Sequence, residues 1–284
     1  MTELGENRYG KSAIHVVRVF RDGERHRLRD LTVSVALEGD FAAAHVEGDN
    51  ANVLTTDTMK NTVYAFALDW LGGSIEDYGR ALAEHFVAQP HVERADVAIR
   101  ERPWQRIADA GTAFRRDGSL VRTATVVARR ALDASGSAPS VAVEAGLDEL
   151  VVMMTARSSF AGFPHDRYTS LRETDDRLLA TALSATWRYA RPDVGHDAAW
   201  SAALDALLGA FADHDSASVQ ASIFVMGHAM LDRVPVIEWI TFRLPNLHHW
   251  TVDLAPFGLE NDDAVYVATT EPHGLIEATV RRTH

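Results

Sequence analysis

The sequence predicts an α+β fold of two tandem units, each an antiparallel sheet with helices on one face. Apolar and polar residues alternate with period two over Ala13–Arg21 and Leu31–Leu37, as half-buried strands require. Ile75, Tyr78, Leu82 and Phe86 then recur at helical spacing inside GGSIEDYGRALAEHFVAQ, residues 72–89. The same order of strands, helices and strands appears on both sides of the loop-like segment Ala134–Ser140, so the units are expected at residues 1–137 and 138–284.

In the first unit the strand pair leads to VLTTDTMKN at 53–61, where Thr56 or Asp57 suits a helix N-cap ahead of the apolar run TVYAFALDWL. The helix within Gly72–Gln89 comes next, followed by strand-like Arg94–Glu101 and Gly118–Ala128, the latter opened by the turn signal RDGS. ASGSAPS reads as a linker. In the second unit Val141–Ala156 and Leu179–Tyr189 are strand-like, Ala198–Ala212 and Ser218–Leu231 helical, and Val236–Leu244 and Ala264–Thr269 strand-like again. Helices on one face leave the other face of the sheet uncovered. Closure into a β-barrel on oligomerisation is therefore expected, because closure removes exposed edges.

Composition narrows the function classes. With 46% hydrophobic and 24% charged residues the chain is of ordinary globular make-up, and 284 residues suit about two domains. Zero cysteines exclude disulfides, thiolate metal sites and a cysteine nucleophile. Lys+Arg 28 against Asp+Glu 40 gives a net charge of −12, and no basic run with interleaved aromatics offers a phosphate track, so nucleic acid is not an expected partner. An anionic substrate would need local positive charge at its site. The opening MTELGENRYGK has no apolar core of a signal peptide and no window suits a membrane helix, so a cytoplasmic location without membrane association is expected.

Neither a dinucleotide fingerprint, a P-loop, H-E-x-x-H nor G-x-S-x-G is present. The thirteen histidines are scattered, and the adjacent pair His248–His249 projects to opposite faces of a strand, so no metal site is expected. The informative stretch is SFAGFPHDRYTSLRETDDR at 159–177, too aromatic and too charged for an ordinary connection. It fits a packed surface loop, with Phe160, Phe163 and Tyr168 tucked in and Arg177 paired with Glu173, Asp175 or Asp176. It fits a binding loop equally well. SVQ at 218–220 opens a helix, and LPNLHHW at 244–250 puts Asn246 and His248 beyond a strand, two residues apart and facing one way.

RYGKSAIHVVRV, VLTTDTMKN, F-x-G-F-x-x-D-x-Y-T-x-L-x-E-x-x-D-R within 160–177, SVQ, LPNLHHW and EPHGLIEATV occur in one order over nearly the whole chain. Together they resemble the urate oxidase (uricase) family of the tunnelling fold, with departures at Pro164, His165, His249 and Trp250. The resemblance implies two tunnelling-fold domains in a homotetramer with active sites at subunit interfaces. It implies cofactor-free oxidation of urate by O₂ and water to 5-hydroxyisourate and H₂O₂, in purine degradation. Lys11, Thr56 and His248 would form a proton relay, with Thr56 and Asp57 reaching a neighbouring subunit's site. Phe160, Leu171, Arg177, Val219, Gln220 and Asn246 would hold urate and O₂. These types suit the chemistry: a phenyl face stacks on a flat ring, a guanidinium fork pairs with an anionic edge, and a carboxamide both donates and accepts. A threonine hydroxyl needs a base behind it to take a proton, and a desolvated lysine can serve. Two rivals are a tunnelling-fold pterin or purine enzyme, which needs metal-binding histidines or a cysteine, and a non-catalytic purine-binding protein.

Overall fold

The computed structural model describes residues 2–116, 118–131 and 138–283. The chain divides into two compact units, Met1–Gly146 with Arg188–Ala199, and Leu147–Trp187 with Trp200–His284. Of the expected linker, residues 134–137 lie outside the described residues, and Ser140 already belongs to a strand.

In the first unit β1 (Tyr9–Phe20) and β2 (Arg27–Gly39) form an antiparallel hairpin. Then come α1 (Ala42–Val46), α2 (Thr56–Trp70), α3 (Ile75–Val87) and β3 (Val92–Glu101). A ribbon of β4 (Trp104–Arg106) and β5 (Phe114–Arg116) precedes β6 (Val121–Arg129). The main strands lie in the order β1-β2-β3-β6, all antiparallel. Alternation does the folding here, since Leu31, Val33, Val35 and Leu37 of β2 all turn inward and are buried. Ser74 caps α3, its Oγ accepting from the Asp77 N–H at 3.0 Å, and the helix buries Tyr78, Leu82 and Phe86 against β3 and β6. Gly79 lets it sit close: a Cβ there would stand 3.0 Å from Val126 Cγ2.

The N-cap of α2 is Thr55, not Thr56 or Asp57. Thr55 is extended (φ −63°, ψ 144°) and its Oγ1 accepts from the Thr58 N–H at 3.0 Å, so Thr56 and Asp57 become the first two helical residues.

Three elements cross the bounds of the units, β7 (Ser140–Met154), β8 (Leu179–Tyr189) and α4 (His196–Asp213), and the second unit also holds α5 (Val219–Arg233), β9 (Ile237–Pro245), β10 (His248–Thr251), β11 (Tyr266–Thr269) and β12 (Leu275–Arg281). Its sheet runs β7-β8-β9-β12, and β10 with β11 makes a separate antiparallel ribbon. Pro245 ends β9, opposite Leu275. α4 buries Ala203, Leu207 and Phe211, spaced four apart. α5, capped by Ser218, packs on β9 and β12 with Gly227 at the closest approach, where a Cβ would stand 2.6 Å from Val280 Cγ2. β12 and the ribbon β4–β5 were not among the expected elements. Among the described residues no helix is long and apolar enough to cross a membrane.

Candidate functional site

A cavity of about 840 Å³ opens in the second unit, and the long loop forms one wall. The loop is closed at its base by backbone: the Phe160 N–H donates to the Thr174 carbonyl at 2.8 Å, and the Thr174 N–H returns to the Phe160 carbonyl at 3.1 Å. The Asp176 carboxylate accepts from the Ser158 N–H at 3.2 Å. This clasp brings the two ends of a long loop together, so Phe160 and Arg177 become neighbours. The Arg177 guanidinium carbon lies 5.1 Å from the Phe160 ring centroid. Phe163 stacks on Phe160 at 5.0 Å without lining the cavity, and so backs the ring.

Arg177 is half-buried, and among the described residues it has no carboxylate partner; its Nε is buried with no hydrogen bond at all. The expected alternative pairings with Glu173, Asp175 or Asp176 do not form. Burial therefore pushes its pKa below the ordinary arginine value, unopposed by any acid. Val219 and Gln220, the first two residues of α5, line the same space, Val219 buried and Gln220 exposed. Leu171 lines it from the loop.

Asn246 and His248 also reach the cavity, with Asn246 Nδ2 and His248 Nδ1 3.5 Å apart. Their backbone is pinned on both sides, because the Asn246 N–H donates to Gly274 O and the Leu247 N–H to Ala180 O, each at 2.8 Å. Burial depresses the His248 pKa, and the positive charges of Arg177, His273 and His249 depress it further. Its ring stacks on Trp250 at 5.3 Å.

Seven of the sequence-predicted site residues, Phe160, Leu171, Arg177, Val219, Gln220, Asn246 and His248, thus share one cavity. Lys11, Thr56 and Asp57 belong to the first unit and are not part of its lining. Asp57 pairs with Lys60 and accepts from Asn61 Nδ2 at 3.0 Å. The Lys60 hydrogen bond and charge hold its carboxyl below the usual range, and the charge of Lys11 adds to the pull. A bulge follows Lys11 in β1, where Ala13 takes a left-handed φ of 57°. The sequence reading missed His249, Trp250 and Tyr266, which line the cavity from β10 and β11. His249 was expected on the opposite face from His248; it lines the cavity too, with Nδ1 2.9 Å from the carbonyl of Leu247, just ahead of β10.

Fold and cavity together define an antiparallel α+β protein whose open cavity sets an aromatic face, an unpaired guanidinium, a carboxamide and an imidazole around one space. The Uricase family model matches residues 7–127 and 143–277, and the chain belongs to that family. It is 44% identical over 280 residues to a uricase of Arthrobacter globiformis, covering 98% of this chain and 90% of that one. It is 36% identical over 292 residues to a uricase of Dictyostelium discoideum, covering 100% and 99%. The crystal structure of the Arthrobacter globiformis uricase matches with a TM-score of 0.92 at 43% identity, covering 99% of this chain and 96% of that one.

Proposed function

We propose that this chain is a urate oxidase, converting urate, O₂ and water into 5-hydroxyisourate and H₂O₂ without a metal or organic cofactor. Two electrons leave the urate ring and reduce O₂ to the peroxide level, while water supplies the new hydroxyl. The observation that carries the reading is Arg177, a half-buried cation beside an aromatic face with no acid of its own. A flat anion completes both groups. Phe160 stacks under the ring, worth ~0.5–1.5 kcal/mol beyond area burial. The Arg177 fork takes an anionic edge, Gln220 donates and accepts on the adjoining edge, and Leu171 and Val219 form apolar walls.

Direct electron transfer to O₂ needs an electron-rich ring, so a further proton must leave bound urate. Thr56 accepts it with Lys11 behind its hydroxyl, His248 passes protons at the far side, and Asn246, which cannot titrate, holds O₂ or the attacking water. Thr56, Asp57 and Lys11 come from a neighbouring copy of the chain, so the working form is a homotetramer whose sheets close into barrels. Two tandem tunnelling-fold domains, 1–137 and 138–284, make up each chain. This duplication is supported by the repeated element order and by Gly79 and Gly227, each on the last helix of its pair, where that helix meets the sheet.

The test is loss of urate absorbance with one H₂O₂ formed per urate, in buffer containing chelator. Consumption of urate is expected to continue unchanged; no consumption would overturn the activity, and loss of activity on chelation would overturn the cofactor-free route.

A further inference from the structure

Behind the cavity wall lies a chain of side-chain hydrogen bonds to which the catalytic reading assigns no part. His214, just past the end of α4, has Nδ1 2.8 Å from the Ala210 carbonyl and Nε2 2.8 Å from Ser222 Oγ. Ser222 Oγ is in turn 2.8 Å from Ser216 Oγ, and both serines are 1% exposed. Proton accounting fixes the direction. A carbonyl only accepts, so Nδ1 donates to Ala210, and in the tautomer with that one ring proton Nε2 accepts from Ser222. Each hydroxyl has a single proton, so the Ser216 hydroxyl is left with two acceptors, Ser222 Oγ at 2.8 Å and the Ser218 carbonyl at 3.2 Å, the first being the shorter contact. Substituting Ser222 leaves His214 Nε2 without its donor.

The chain ends on the backbone that carries the cavity. Ser216 N–H donates to the Arg157 carbonyl and Ser216 O accepts from the Ser159 N–H, both at 2.8 Å, one residue before Phe160. Ser222 itself stands in the first turn of α5, its N–H donating at 3.1 Å to the carbonyl of the cap residue Ser218, directly ahead of Val219 and Gln220. The stacking residue and the carboxamide therefore hang from one buried element. Two χ angles of Phe160 and three of Gln220 are useful only if their backbones keep their spacing.

We propose that His214 is a positioning residue of the substrate cavity, acting through Ser222 and Ser216 to hold Phe160 against Val219 and Gln220. The inference rests on the urate-binding reading above. A histidine satisfying the end of α4 and nothing more would stabilise the fold without touching affinity. The experiment separates the two. Ser222→Ala removes the proton that Nε2 accepts and the nearer of the two acceptors of Ser216. Ala203→Gly weakens the buried face of α4 without entering the chain. Urate is titrated into each protein in the absence of oxygen, and amide exchange is followed at Ser159 and Ser216. Ser222→Ala is expected to lose about tenfold in urate affinity with faster exchange at both amides. Ala203→Gly is expected to lower the melting temperature and leave affinity unchanged. If Ser222→Ala does not fold, Ser222→Cys, which keeps the shape with a weaker donor, carries the same comparison with a smaller loss. Wild-type affinity in the serine variant, or an equal loss in both variants, would overturn the proposal. Wild-type protein that does not bind urate would instead overturn the functional reading, and this inference with it.

Discussion

Arg122 and Arg177 are both withdrawn from solvent, and their surroundings are opposite. Arg122, on β6 of the first unit, is 7% exposed and reaches Glu76 at 2.7 Å and Asp197 at 2.6 Å. Burial opposes its charge, yet Glu76, Asp197 and Glu101 together outweigh burial and hold its pKa above the ordinary value. Burial likewise pushes the Glu76 and Glu101 carboxyls above the usual range, against the pull of Arg122 and Arg29. Charges there answer charges already in the chain. Arg177 meets an aromatic face and a cavity instead, and burial alone moves its pKa. The lesson is that burial of a cation is not a functional signal; burial without a partner is.

Four substitutions sharpen the contrast. The largest effect should come from proton transfer, which the recognition groups of the cavity cannot supply by themselves. Lys11→Met or Thr56→Ala is expected to lower turnover by about 10²–10⁴-fold with an altered pH–rate profile, while oxygen-free urate binding stays near wild type. Stopped-flow oxidation beside anaerobic titration reads both quantities. Turnover near wild type would remove these residues from the relay. Next is Arg122→Leu, which strands Glu76 at zero exposure beside Asp197. Denaturant unfolding should show a loss of about 3–5 kcal/mol, with urate affinity unchanged in the folded fraction. A weakened affinity at full folding would blur the distinction between the two arginines. The smallest effect concerns His248, whose pKa is lowered first by burial and then by Arg177, His273 and His249. Its neutral form therefore persists to lower pH than an ordinary histidine's. Removing one facing cation in His273→Asn should raise the midpoint of His248, followed by NMR titration, and carry the acid limb of the activity profile upward with it. An unchanged midpoint would mean that the charge at His273 does not face His248.

Much of this was legible in the sequence, for identifiable reasons. Period-two alternation exposes β2 because one of its faces is buried, and the 75/78/82/86 spacing exposes α3 because it lies on a sheet. The loop at 159–177 drew attention by composition, and its ends do meet. The cap of α2 was misplaced by one residue because Thr55, Thr56 and Asp57 are all capable caps, and only backbone conformation chooses among them. β4 and β5 were invisible, since three residues cannot display a period. The walls from β10 and β11 depend on a ribbon that brings Tyr266 beside Thr251, a pairing that local pattern does not encode. Nor does any pattern announce that Arg177 is free of Asp175 and Asp176 next to it in the chain; the Asp176 carboxylate accepts from the Ser158 N–H at the base of the loop instead.

The central claim, that Arg177 is kept without an acid so that a urate anion can complete it, is tested most directly by titrating urate into Arg177→Lys without oxygen and unfolding the same protein in denaturant. Lysine keeps the charge and loses the planar fork, so one of two charge-assisted bonds, each worth about 1.5–3 kcal/mol, should disappear. The account predicts at least about tenfold weaker binding at nearly unchanged stability, whereas unchanged affinity, or a loss of stability as large as that of Arg122→Leu, would contradict it.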